Sequence, residues 1–281
     1  MSLTKREQQL YEELLRWEEE WFVDNDSPAS LTYQSWLSKT MSSFEGKWKN
    51  KVLKIVDEGL FQIQASMQQS KFDKQAVDHI LTTARAFQED VQTVNDMKKL
   101  RIDQLKMIAD KSLAKQRLLS LGQGGASGIG GPLFLAADLP TLMAVNIRAI
   151  QLVATTYGFD LRKPYEMMLV LKLFHVASLP RPLQRSEWLY LEKEVQGFDD
   201  DWYFYEGKEQ VISFDWLHQP AKQLLKVSLL SLLRKKSTQT IPVLGAFIGA
   251  GMNYRFTEQV TTIAHHFYQN RFIQEKQISN G

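Results

Sequence analysis

Cysteine is absent from all 281 residues. That absence excludes disulfides, thiolate zinc sites and a cysteine nucleophile, and it suits a reducing compartment. An excess of either charge is missing too. The 34 Lys and Arg stand against 32 Asp and Glu, so the balance points to no nucleic-acid partner. No apolar leader opens the chain: Met1-Ser-Leu-Thr-Lys-Arg-Glu runs straight into a charged helical pattern, and no signal peptide is expected. Nor does any stretch sustain period-two alternation with β-branched enrichment, so strands are hard to place. With 44% hydrophobic and 23% charged residues, the composition is that of an ordinary globular chain.

What is present is helical periodicity. Thr4 and Glu7 form a capping-box pair ahead of an apolar stripe, Leu10, Leu14, Trp17 and Trp21, whose opposite face carries Glu12, Glu13, Glu18, Glu19 and Glu20. This acidic helix is expected over about 4–22, ended by Asn25-Asp26-Ser27-Pro28. Trp36, Leu37 and Met41 anchor a short segment, and Trp48, Val52, Ile55, Ile63 and Met67 line the next helix. Asp73 is placed to cap another, with Val77, Ile80, Leu81 and Ala84. Ile102, Leu105, Ala109 and Leu113 repeat at helical spacing within 96–121. Pro164 opens a helix to Ala177 that is apolar nearly all round, and Trp188, Leu191 and Val195 mark a shorter one. Leu224 to Leu233 is again apolar, and Phe256, Val260, Ile263 and Phe267 line the last helix. Asn253, Thr257, Thr261 and His265 form an i, i+4 polar line along it.

Two segments break this pattern. The first crowds Gly122, Gly124, Gly125, Gly128, Gly130 and Gly131 ahead of Pro132. The second, Ile241 to Tyr254, holds Gly245, Gly249 and Gly251. Such crowding implies positive φ or close backbone approach, because glycine alone lacks a Cβ. After the first segment, Asp138 is placed to cap a helix with Pro140 in its first turn. Gly158 stands where a left-handed C-cap belongs, with Phe159 as its hydrophobic partner.

Taken together these residues resemble a known family. Ala137-Asp138-Leu139-Pro140, Arg148 and Tyr157-Gly158-Phe159-Asp160 follow the first glycines. Ile241-Pro-Val-Leu-Gly245-Ala-Phe-Ile-Gly249-Ala-Gly251-Met-Asn253-Tyr254, Ala264 and Arg271-Phe272 come in the same order downstream. This order resembles the EcsC family, bacterial proteins whose founding member is encoded beside an ABC exporter implicated in secretion. The resemblance covers about 95–275 and carries no catalytic residues with it. It implies a mainly helical protein working at or near the cytoplasmic face of a membrane, with an ABC exporter or the lipid surface as partner.

Catalytic patterns nearly fit and fail. Gly122 and Gly124 match a dinucleotide fingerprint, but Ser127 takes its third glycine position and the lead-in is helical. A nucleophile elbow on Ser127 lacks its second glycine at Ile129, and no Walker lysine is present. His265 and His266 are adjacent and so point to different helix faces. Asp199, Asp200 and Asp201 are consecutive, unlike the alternating ligands of a calcium loop. No metal and no cofactor are expected. Asp138 remains as an acid–base candidate if buried, or as a cap that accepts backbone N–H bonds, and the cap is the simpler account. Arg148 shares the polar stripe of that helix with Thr141, Gln151 and Thr155. Asn253 and His265 complete the weak candidates for catalysis.

A membrane span is a poor account of the glycine segments. Gly128 to Val145 would reach about 27 Å as a helix, against a bilayer core of about 30 Å. Asp138 near its middle would cost about 2.5–3.5 kcal/mol. Two apolar helices packed inside a bundle explain the same residues, and Arg234, Lys235 and Lys236 offer an electrostatic contact to a membrane surface. The expectation is therefore one all-α domain over 1–281, a compact multi-helix bundle with both glycine segments at its centre. Its expected role is that of a non-enzymatic accessory protein, cytoplasmic and peripheral to the membrane. The alternative is a hydrolase-like enzyme using Asp138 in a polar pocket between helices.

Overall fold

Thr4 caps the first helix as its sequence demands. Its hydroxyl accepts the Glu7 backbone N–H at 3.2 Å, while the Glu7 carboxylate accepts the Thr4 backbone N–H at 2.9 Å. The computed structural model describes residues 3–22, 35, 38–39, 53–61, 71–127, 132–196, 221–229, 231 and 245–278, and at 71–73, 121–127, 132–140 and 245–250 only their backbone. Within these residues the fold is all-α, with no strand. The helices are α1 (Lys5–Trp21), α2 (Lys71–Arg85), α3 (Ile102–Ser127), α4 (Pro132–Thr156), α5 (Pro164–Ser178), α6 (Arg181–Gln196) and α7 (Gly245–Ile278). A 3₁₀ turn, Asn95–Lys99, precedes α3, and 53–61 and 221–229 are helical as well. The features expected at Asn25–Pro28, Trp36, Leu37, Met41, Trp48, Val52, Ile63, Met67, Gly128, Gly130, Gly131, Asp199–Asp201 and Arg234, Lys235 and Lys236 lie outside the described residues.

Two expected helix starts are corrected. Asp138 does not cap a helix: α4 begins at Pro132, so Asp138 and Pro140 both lie inside it. Pro132 meets the same first-turn rule that pointed to Pro140, and the upstream proline sets the start. Likewise α2 begins at Lys71, which puts Asp73 within its first turn.

The glycines behave in two ways. Gly122, Gly124 and Gly125 lie in the last turns of α3, and Gly245, Gly249 and Gly251 in the first turns of α7, all helical. At Gly251 an added Cβ would meet nothing within 4 Å, so no close helix contact requires that glycine. Gly158 does need its freedom, with φ of +87°. It is the C′ residue of a Schellman motif: Phe159 N–H donates to the Ala154 carbonyl at 3.0 Å, and Gly158 N–H to Thr155 at 3.1 Å. Gly158→Ala is expected to lower stability by about 1–2 kcal/mol through the left-handed backbone alone. The new Cβ would also stand 2.6 Å from Lys98 Cγ, disturbing the Lys98–Glu275 ion pair. Urea denaturation of the two proteins measures the difference.

α7 is the axis of the bundle. It packs most extensively on α3, then on α4, with α5 and α1 against its remaining sides. Its apolar residues Val260, Ile263, Phe267, Phe272 and Ile273 join one contiguous buried cluster that draws on every described helix. α7 runs antiparallel to α3, since Asp110 meets His265 while Arg117 meets Thr261. The first turns of α7 therefore lie alongside the last turns of α3, where α4 begins after a four-residue link. The helical parts of the two glycine segments that are described, 122–127 and 245–251, lie towards the same end of α3 and α7. Asp138 is the only charge in 121–140 and 245–254.

Candidate functional site

The polar line of α7 is buried. Asn253, Thr257, Thr261, His265 and Gln269 are each at most 8% exposed. It faces α3 and the end of α4, and its partners come from both. Arg117 Nε donates to Thr261 Oγ1 at 2.9 Å. His265 Nε2 lies 2.7 Å from the Tyr157 hydroxyl, and His265 Nδ1 faces Asp110 Oδ1 at 3.5 Å. Burial, with the nearby charges of His266, Lys106 and Arg117, pushes the His265 pKa down to about 3, so the ring is neutral. The Tyr157 hydroxyl and His265 Nε2 share one hydrogen bond, whose donor is set by the ring tautomer.

Carboxylate, imidazole and hydroxyl thus stand in the order of a proton relay. Access decides what the relay can do. Tyr157 is fully buried and burial holds its phenol well above the usual pKa, so no substrate reaches the oxygen that would have to react. The relay serves as a strut joining α3, α4 and α7.

A second junction lies beside it. Arg271 donates to Glu166 through Nη1 at 2.6 Å and Nη2 at 2.7 Å, with both side chains at most 10% exposed. Phe159 lies under the guanidinium at 4.1 Å and packs on Tyr268. Tyr157-Gly158-Phe159 from one half of the chain is therefore clamped onto His265, Tyr268 and Arg271 from the other.

The four catalytic candidates do not form one site. Asp138 lies inside α4 and Tyr157 directly follows its last residue, about five turns and roughly 28 Å further along the axis, and His265 sits at the Tyr157 end. Asn253 and His265 are likewise about 18 Å apart along α7. Arg148 lies between these levels, half-buried, on a different face. There it lines a cavity of about 350 Å³ between α2 and α4, together with Gln151 and Thr155 from its own stripe and Lys74, Asp160 and Arg162. Sequence spacing put Arg148, Gln151 and Thr155 on one face. It gave no sign of Lys74 or Thr93, which α2 and the segment before the 3₁₀ turn bring to the cavity. No group of three or more metal-ligating side chains occurs among the described residues.

The titrating groups set an expected pH response. Burial holds the folded pKa of His175 and His266 at about 4 and of His265 at about 3, against an ordinary 6.5. The unfolded chain binds those protons first as pH falls, so their contribution is whole above 6.5 and lost towards 3–4. Glu192 acts oppositely: burial and the Glu18 charge push it up to about 7, so its contribution is whole below 4.5 and lost as pH rises through 7. The urea midpoint is expected to fall between pH 7 and pH 5, and Glu192→Gln to steepen that fall.

The sequence pattern of the EcsC protein family matches residues 8–273. The chain belongs to the EcsC family. The match extends the expected 95–275 towards the N-terminus and takes in most of α1, which Lys276–Glu7 and Trp17–His266 contacts fasten to α7. The chain is similar to YdbA of Bacillus subtilis (strain 168), 24% identical over 97% of this chain and 96% of that protein. It is also similar to the protein EcsC of the same organism, 22% identical over 64% of this chain and 69% of that protein. No solved structure matches. Of the residues that carry the family likeness, Tyr157, Phe159, Arg271 and Phe272 pack at the relay and the ion-pair junction.

Proposed function

We propose that this EcsC-family protein is a non-enzymatic accessory protein, peripheral to the cytoplasmic face of a membrane, where it works beside an ABC exporter or the secretion machinery. The observation that carries this reading is the outward face of α3. Met107, Leu118 and Leu119 stand 52%, 66% and 46% exposed, beside Lys111 and Lys115. Met107 and Leu118 are eleven residues apart and fall on one helical face, with Lys111 between them. Such a face suits a lipid interface, where apolar side chains enter the headgroup boundary and each lysine near an anionic surface adds about 1 kcal/mol. In the sequence the stretch that follows, 121–140, carries Asp138 as its one charge. Among the described residues no helix is long and apolar enough to cross a membrane, so contact from one side is the mode proposed. The exporter is brought in by the setting of the family's founding member.

The test is sedimentation of the purified protein with phosphatidylglycerol or phosphatidylcholine vesicles, alongside high-salt and carbonate washes of cell membranes. Binding to the anionic vesicles, reversed by salt and weakened in Lys111→Glu and Leu118→Glu, is expected. A wild-type protein that stays in the supernatant with anionic vesicles rejects the membrane role.

A further inference from the structure

Two carboxylates meet where α1 docks. Glu18 adjoins Trp17, whose ring packs on Trp188 of α6 at 5.8 Å and stacks on His266 of α7 at 3.8 Å. Glu192 follows Trp188 by four residues, one turn along the same face of α6. Both carboxylates are half-buried, and the Trp188 indole N–H stands within reach of each. That N–H is buried yet completes a hydrogen bond to neither. One donor is thus set between two acceptors, and a protonated carboxyl supplies the donor that is short.

The surroundings favour a proton on Glu192. Asn270 Nδ2 donates to Glu192 Oε1 at 3.1 Å, and Gln274 Nε2 in turn donates to Asn270 Oδ1 at 3.3 Å. Arg271 lines the same small gap, but both its outer nitrogens go to Glu166. Arg185 of α6 acts on Glu18, Lys193 of α6 is exposed, and Lys172 of α5 pairs with Glu194. On α1, Glu19 adds a second negative charge beside Glu18. Burial and then the Glu18 charge push Glu192 up to about 7, and burial raises Glu18 as well. Two carboxyls this close titrate as a pair, and the pair gives up its proton near neutrality.

We propose that Glu18 and Glu192 form a pH-sensitive latch for α1. While the pair holds a proton, α1 stays fastened to α6 and α7. When that proton leaves to solvent, two like charges face each other and α1 is released as a unit. The docked form binds the proton more tightly than the released form, so the hold is whole below 4.5 and lost as pH rises through 7. His266 works in the opposite sense. Release frees its ring from Trp17 and returns its pKa from about 4 towards 6.5, so acid favours opening there. Comparison of wild type with Glu192→Gln at each pH cancels that effect.

The experiment is amide hydrogen exchange of the full chain at pH 6 and pH 8.5, read over α1 and α5 and corrected for intrinsic rate. Glu192→Gln mimics the protonated carboxyl and keeps an oxygen for Asn270. Wild type and variant are expected to open α1 nearly equally at pH 6. At pH 8.5 the wild type should open it about tenfold more often, the factor that a rise from 4.5 to about 7 gives over this range. Carbon-13 NMR of the glutamate carboxyls keeps the test alive if that variant does not fold. In the wild type Glu192 is expected to titrate at about 7, and lower in Glu18→Gln. A Glu192 carboxyl that titrates at the ordinary 4.5 overturns the proposal. So does a ratio of wild-type to variant opening that is the same at both pH values. So do α1 amides as protected as those of α5, since α1 then never leaves alone.

Discussion

Arg271→Ala is expected to lower the free energy of unfolding by about 3–5 kcal/mol, the cost of leaving one member of a buried ion pair without its partner. Glu166 is 6% exposed at its side chain, and both its oxygens accept from the guanidinium. Removal of the guanidinium strands that carboxylate against α7 and takes away the stacking on Phe159. A domain of this size has about 5–15 kcal/mol in total, so the variant loses roughly a fifth or more of it. Arg271→Ala combined with Glu166→Leu should recover part of the loss, because no charge is then stranded. Urea denaturation of the single and double variants separates stranding from lost packing. A single variant with an unchanged midpoint would show that the pair is not buried in solution.

Trp188→Ala should be of the same order, about 3–5 kcal/mol, as for other large aromatic truncations in a core. Trp188 is 1% exposed and meets Trp17, Phe22 and Phe267 at ring-centroid distances of 5.8, 5.4 and 5.9 Å. Two of those three belong to α1 and the residue that ends it, so the cavity opens where α1 docks. The loss should therefore be uneven. Limited proteolysis should cut within α1 in the variant well before the wild type, while the α3–α4–α7 centre stays protected. Trp188→Phe should fall between. Equal protection of α1 in wild type and Trp188→Ala would sink the docking account.

Much of this arrangement could be read from the chain, for reasons that differ by element. Local chemistry carried the Thr4–Glu7 box, the Gly158 cap and the proline start of α5, since each depends on residues within one turn. Periodicity carried the buried stripes of α3 and α7, because a 3.6-residue repeat maps directly onto a helix face. Starts with two competing signals were misread. Pro132 and Pro140 both obey the first-turn rule, and only packing of the whole helix decides between them. Gly59 gave no signal, although a Cβ there would run into Met143 Cε, so helix 53–61 approaches α4 at that residue. Ion pairs between distant elements were invisible for the plainest reason: Glu166 and Arg271 are 105 residues apart, and nothing in either neighbourhood names the other. The cavity was half legible. One wall follows from helix geometry, while the opposing wall depends on where α2 comes to rest.

The axial helix has a consequence in time. α7 follows in sequence every element that packs on it, so α3 and α4 leave the ribosome with their inner faces uncovered. At roughly 5–20 residues per second, synthesis from the end of α4 to the end of α7 takes on the order of ten seconds. For that interval Leu105, Leu113, Ile150 and Val153 have no α7 to cover them, and Tyr157 has no imidazole to share its hydrogen bond. Nascent chains halted before Gly245 should thus hold chaperones and aggregate when released, and chains that have cleared Ile278 should not.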